Sequence, residues 1–515
     1  MDFLDYVQMT KGQRILYRIK SFFTGIPGAV VAFFTMVGNF LKKIFTGIGH
    51  GFRNFGQRFV KGDIGTKLSY IFMGAGNIFH GQIVKGLIFL AVEISYFAYM
   101  IFFGIGQLSK IYCNGVTIPD EGIIQDGVIG SVVTVKVPDP DSLLGVEKTV
   151  YGDDSMHILL FSVLTILITI AFIAIYVVNT KSAYFTQTQK ELYAQTHKPT
   201  DKPLSFLKEM KMFLDERFHV TLLALPSLLL LVFTVLPIVF TIFMAFTNYD
   251  KTHQAPAKLF WWVGFDNFAD VFYSNPLKSR TFGNILVWTI IWAIFATFTN
   301  YILGIVVALL INKKGIKFKA FWRTMLVITA AVPQFVTLLL MNQLLQDEGS
   351  LNLMLGTHYP FLTDPTWAKV VVIIVNIWVG IPYTMLISSG LLMNIPEDLY
   401  ESARIDGANA FQQFTKITFP YIFFVTTPYL ITTFVGNINN FNLIYLLTGG
   451  GPNTTEYYQA GQTDLLVTWL YKLTVDQKDY NLAAVIGILV FLICAIGALI
   501  TFNMSKASKN EEEFS

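Results

Sequence analysis

The stretch "EDLYESARIDGANAFQQFTKITFP" occupies residues 397–420, with a long apolar run on each side of it. It carries six charged residues and reads as helix, glycine, helix. Pro396 suits the first turn of a helix, and Glu397 and Asp398 favour its positive end. Gly407 can close that helix in a left-handed conformation. A second helix then places Phe411, Phe414 and Ile417 on one side, which leaves an apolar side to rest on membrane helices. Glu401 and Asp406 lie on the charged side. A plain connection needs only a few residues, so this longer, self-capped hairpin reads as a docking element.

The flanking runs set its context. Of 515 residues 53% are hydrophobic and 14% charged, against about 25% charged in soluble proteins. So much apolar surface requires lipid as solvent. A spanning helix needs roughly 20 apolar residues, and eight segments qualify: 86–108, 157–179, 220–247, 285–311, 324–345, 369–391, 421–446 and 481–503. The expected fold is therefore an all-α polytopic membrane protein of about eight transmembrane helices. With the amino end inside, inner segments hold 27 of the 37 Lys and Arg residues. The run "KKGIKFKAFWR" (313–323) has five basic residues and no acid, whereas loop 109–156 has eight acids. The bias places both termini and residues 397–420 in the cytoplasm and loop 109–156 outside.

Four regions follow. Residues 1–84 form a cytoplasmic or interfacial basic region. Phe45, Ile48, Phe52, Phe55 and Phe59 repeat there at helical spacing among Lys42, Lys43, Arg53, Arg58 and Lys61, the pattern of a helix lying on an anionic membrane surface; a packed cytoplasmic cap is the alternative. Residues 85–179 give two accessory spans with loop 109–156 between them, 220–503 the main membrane domain, and 504–515 a cytoplasmic tail. Cys113 and Cys494 fall in different compartments and are not expected to pair.

Two polar stripes stand out within the spans. Asn376, Gly380 and Tyr383 follow i, i+4, i+7 on the sixth segment, as do Thr433, Asn437 and Asn440 on the seventh. Polar side chains at such depth face the bundle interior or a wet cavity. Amides and a phenol suit a neutral sugar, but Asn and Thr also bridge helices. Spacing alone leaves both readings open.

The hairpin resembles the EAA loop of binding-protein-dependent ABC importer permeases, through Glu401, Ala403, Gly407, Ile417 and Pro420. "LLTGGGP" (446–452), "AGQTDLLVTWLYKLT" (460–474) and "VFTIFMAFTNYD" (239–250) are similar to the MalF-type permeases of maltose/maltodextrin importers. The resemblance implies a six-helix ABC-importer permease core over about 220–505. It implies that Glu401, Ala403, Asp406 and Gly407 couple to an ATPase, and that the six stripe residues line the sugar site. It implies as partners a second permease subunit (MalG-like), an ATPase subunit dimer (MalK-like), an extracellular solute-binding protein, an oligosaccharide and the lipid bilayer. Gly436 stands where those permeases have a phenylalanine. Their large insertion after "FTNY" is missing, since that loop ends here by about residue 284.

Other chemistry finds no support in the sequence. "GDIGTKLS" (62–69) has the wrong spacing for a phosphate loop, so the chain needs no cofactor of its own and ATP would be bound by a partner. Zinc motifs are absent. Glu93 is the only clear acid inside a span, which disfavours a proton-driven secondary transporter. The loops hold no Asp, Glu or His constellation for a membrane enzyme such as a glycosyltransferase, and a net charge of +3 suggests no nucleic-acid partner. A permease for another oligosaccharide, of raffinose or other glycoside type, is the nearer alternative.

Overall fold

A computed structural model describes residues 35–112 (except 36, 37, 40, 41 and 44), 135–138, 147–150, 154–198, 205–254, 260–313 and 315–504. Residues 1–34, most of loop 109–156 including Cys113, and the 505–515 tail lie outside the described residues. The described part is helical apart from one antiparallel hairpin, β1 (Val135–Pro138) with β2 (Glu147–Val150). Residues 38–267 form one compact unit, and residues 268–504 belong to the other.

The first unit contains helix α1 (45–61), short helices α2 (Ile64–Leu68) and α3 (Ala75–Phe79), and long helices α4 (Ile83–Leu108) and α5 (Ser155–Thr196). After these come α6 (Phe206–Leu214) and α7 (Phe218–Met244). The α2–α3 pair is a broken segment whose free backbone groups are met by side chains of the long helices. Glu93 accepts from Met73 N at 2.8 Å, and Asn179 accepts from Gly74 N at 2.9 Å while donating to Ser69 O. Gly74 has φ +85°, and a Cβ there would run into the Gly86 backbone. Glu93 is thus a local structural partner. After α7 the chain turns back at once: Asn248 N donates to Trp261 O and Trp261 N to Asn248 Oδ1.

The second unit is built around α8 (Pro276–Asn312). It continues through α9 (Lys319–Ala331), α10 (Gln334–Leu344), α11 (Ser350–Leu355) and α12 (Pro365–Leu392). The rest comprises α13 (Glu397–Ile405), α14 (Ala410–Ile438), α15 (Phe441–Leu447), α16 (Leu466–Val475) and α17 (Tyr480–Met504). Asn275 and Asp364 cap α8 and α12, each followed by Pro at the first helical position, the preferred arrangement for a helix start. Along α8, Trp288, Trp292 and Ala296 bury against α10, α12 and α15, and Tyr301 and Ile305 bury against α14. Gly304 lets α8 approach Thr384 of α12 closely, as small residues do between membrane helices.

Among the described residues seven helices are long and apolar enough to cross a membrane, one fewer than the sequence suggests. The difference lies at 324–345. Pro333 has no N–H to give to a helix and pushes Val332 into an extended conformation, ψ 131°. The expected span is therefore two helices of 13 and 11 residues. The seventh segment also differs from expectation. Its helix begins at Ala410, inside the polar hairpin, passes through a π-turn at Phe414–Thr418 just before Pro420, and stops at Ile438. A π-turn accommodates the N–H that Pro420 lacks.

Candidate functional site

The helix break, α8, α12 and α14 enclose a cavity of about 190 Å³. Five of the six stripe residues line it: Asn376, Gly380 and Tyr383 from α12, Thr433 and Asn437 from α14. Asn440 does not. Because α14 ends at Ile438, the helical period does not carry that far, and Asn440 instead caps α15 by accepting from Leu443 N. It touches the group only through Asn437, donating to Asn437 Oδ1 at 3.4 Å.

Six further polar residues on the wall were not singled out in the sequence: Thr297, Asn300 and Tyr301 of α8, Gln334 at the helix break, Thr384 of α12 and Tyr429 of α14. A signal existed for the first three. Thr297, Asn300, Tyr301 and Gly304 follow i, i+3, i+4, i+7, a third stripe on a third helix. No lining residue is charged, so the wall offers donors and acceptors without an ion to desolvate.

Some of these groups also hold helices together. Asn437 Nδ2 donates to Thr297 Oγ1 at 2.9 Å, and its backbone oxygen accepts from Trp292 Nε1 at 3.0 Å. Asn376 Nδ2 reaches Ala296 O at 3.4 Å. Asn437 and Asn376 are buried, and Tyr383 is 51% exposed. Asn300 Oδ1 is buried without a hydrogen-bond partner. A buried acceptor left unmatched carries a cost, which a donor in the cavity would relieve.

The polar hairpin lies at the far end of the same two helices, joining α12 to α14. Gly407 has φ +76°, and Ala408 N bonds to Ala403 O at 2.8 Å, the closure of a helix by a left-handed residue. Asn409 and Gln412 form a reciprocal capping box on the next helix. The Tyr400 hydroxyl pairs with Thr418 Oγ1 at 2.8 Å and ties α13 to α14. Glu401, Asp406 and Gly407 are exposed and Ala403 half-buried. The apolar side differs from the sequence reading. Phe414 packs beside Tyr301 and Ile422, but Phe411 stands 73% exposed, as does Ile405 at 87%. The hairpin therefore shows ring and aliphatic surface outward along with its charges.

On the loop following α15, Gly449 and Gly450 of the "TGGGP" run take positive φ. A side chain at Gly450 would collide with the Asp464 carboxylate. Asp464 is fully buried, accepts from Gly461 N, and pairs with Lys472 Nζ at 2.7 Å. Burial pushes its carboxyl above the usual range, and Lys472 works against that.

These features meet known proteins. The family described as "Binding-protein-dependent transport system inner membrane component" matches residues 300–508. The galactooligosaccharides transport system permease protein GanP of Bacillus subtilis (strain 168) is 36% identical over 448 residues, covering 86% of this chain and 97% of that one. The chain belongs to the binding-protein-dependent transport system inner membrane component family. This permease is also 34% identical to the maltodextrin transport system permease protein MdxF of the same organism, over 86% of this chain and 95% of that one. It is 40% identical to the maltose/maltodextrin permease MalF of Klebsiella aerogenes over 253 residues, 47% of this chain and 48% of that one. The GanP match is longer than residues 268–515 alone, so it takes in much of the first unit as well. The permease is a multi-pass membrane protein and a transport subunit rather than an enzyme. ATP hydrolysis belongs to a separate partner of the importer.

Proposed function

We propose that this permease passes a neutral oligosaccharide of the maltose/maltodextrin type through the cavity between α8, α12 and α14. The observation that carries the reading is the wall itself: polar, uncharged, and supplied by stripes on three helices. The binding residues would be Asn376, Gly380, Tyr383, Thr433 and Asn437, joined by Asn300 and Gln334, with Asn440 acting through Asn437. At the break by Pro333, irregular backbone is tolerated because it borders the cavity.

The hairpin at 397–420 would be the coupling element, presenting Glu401, Ala403, Asp406 and Gly407 to the ATPase. The basic-residue bias supports the orientation that this requires, with both termini in the cytoplasm. In this account residues 220–503 work as a six-helix permease core, the broken pair α9–α10 together making one crossing, beside a second, MalG-like permease subunit. A MalK-like ATPase dimer drives the pair, and an extracellular binding protein delivers the sugar.

The relatives named for galactooligosaccharides and for maltodextrin are almost equally similar, at 36% and 34%. Uptake by the reconstituted importer from a panel of labelled maltodextrins, galactooligosaccharides and raffinose tests the substrate. Uptake of maltodextrins is expected. Uptake of galactooligosaccharides alone would move the specificity while keeping the cavity, and uptake of none would remove the sugar reading.

A further inference from the structure

We propose that α1 is a lipid-binding helix that lies on an anionic membrane surface, with Phe45, Ile48 and Phe52 inserted among the lipids and Phe55 and Phe59 clamped to the protein. The helix has one apolar face. At 100° per residue Phe45, Ile48, Phe52, Phe55 and Phe59 fall on one side. Lys43, His50, Asn54, Gln57 and Lys61 fall on the other, with Lys42 and Arg53 at the boundary. No acid occurs between Lys42 and Gly62.

The structure divides the apolar face in two. At the carboxyl end Phe55 and Phe59 pack edge-to-face against Tyr70, with centroids 4.7 and 5.1 Å away, and the Tyr70 hydroxyl donates to Phe55 O. Phe55 also reaches Tyr176, whose hydroxyl donates to Tyr70 O at 2.6 Å. The rest of the face is open: Phe45 is 69%, Ile48 49% and Phe52 73% exposed, and Phe59, though it touches Tyr70, is still 45% exposed.

The clamp fixes the depth of the helix. Tyr176 lies on α5 near the end of the apolar stretch 157–179. Its neighbours Ile173, Val177 and Val178 are exposed apolar residues on that spanning helix, as lipid-facing positions are. A helix held at this level has headgroups and upper acyl chains beside it. Beyond α1, Ile64, Ile71 and Phe72 are exposed as well. Charge selects the kind of lipid. Lysine and arginine near a membrane surface attract anionic headgroups, and boundary residues such as Lys42 and Arg53 can lay their stems on lipid while keeping the charge in water.

The test uses the assembled importer in lipid nanodiscs, with its native cysteines replaced and single nitroxide labels at residues 45, 48, 52, 50, 54 and 57. Collision with oxygen and with a water-soluble nickel complex is read in phosphatidylcholine discs with and without phosphatidylglycerol. The expected result with phosphatidylglycerol is oxygen-accessible, nickel-shielded labels at 45, 48 and 52, and the reverse at 50, 54 and 57. Omitting phosphatidylglycerol, or changing Lys42, Lys43 and Arg53 to Gln, should largely remove the shielding. Equal nickel access on both faces would overturn the proposal. So would closure of 45, 48 and 52 to both reagents, which would mean a protein cover. Shielding that is indifferent to both lipid charge and the three substitutions would overturn it as well.

Discussion

The side-chain amide of Asn300 fills the space that a methyl group on residue 380 would occupy. Glycine at 380 is therefore the gap into which α8 places a polar group on the cavity wall. Gly380→Ala should push that amide aside. Overpacking of this kind costs about 1–3 kcal/mol of stability, so assembly should weaken and sugar uptake should fall with it. Combining Gly380→Ala with Asn300→Ala should restore assembly but not uptake. Uptake assays with subunit co-purification check both; full uptake in the single variant would show that Asn300 can move freely.

The Asn437–Thr297 hydrogen bond separates bridging from binding. Thr297→Val removes the hydroxyl that accepts from Asn437 and keeps nearly the same shape. If Asn437 only bridges helices, Thr297→Val and Asn437→Ala should each lower uptake only as far as they lower assembly of the complex. If it also binds sugar, Asn437→Ala should be worse by about 1–3 kcal/mol, the cost of a lost partner in a desolvated site. Sugar-stimulated ATP hydrolysis by the purified complex measures the difference.

Much of this arrangement was legible in the chain, and the gaps have physical causes. Asn275-Pro276 and Asp364-Pro365 announce two helix starts because a cap and a fixed φ act locally. The hairpin turn at Gly407 is equally local. Asn440 was placed on a stripe because period counting does not see that α14 stops at Ile438. Thr297 and Asn300 escape notice because their stripe is sparse within a long, strongly apolar helix. The break at Pro333 was passed over because hydropathy sums through a proline. Phe411 was expected to pack, yet its exposure depends on tertiary contacts that spacing cannot report.

The positive φ of Gly407 bears on coupling. Proline cannot adopt φ +76° and would lose the N–H that Gly407 gives to Arg404 O. Gly407→Pro should leave the permease inserted and assembled but abolish sugar-stimulated ATP hydrolysis. Glu401→Lys should do the same by charge reversal at an exposed position. Full stimulation in both variants would show that the ATPase does not dock on this hairpin.

The buried Asp464–Lys472 pair gives a pH prediction. Lys472→Met removes the cation and leaves a buried carboxyl whose pKa burial already raises. A carboxyl with a folded-state pKa above its unfolded value contributes stability at low pH, and that contribution is lost as pH rises through the folded pKa. The variant should therefore lose little thermal stability at acidic pH and about 3 kcal/mol at alkaline pH, as for a buried pair missing one partner. Thermal unfolding of the complex across pH checks this; an equal loss at every pH would contradict it.

Tyr383 offers the most direct test of the account, since it lines the cavity yet is half exposed, so its removal leaves little to collapse. The measurement is uptake of labelled maltodextrin by the reconstituted importer carrying Tyr383→Ala, with basal ATP hydrolysis and subunit assembly followed in the same preparation. The account predicts uptake lowered roughly five- to a hundredfold, the cost of one lost hydrogen bond in a desolvated site, with assembly and basal hydrolysis unchanged. Normal uptake, or a loss seen only when the complex falls apart, would contradict the claim that sugar passes through this cavity.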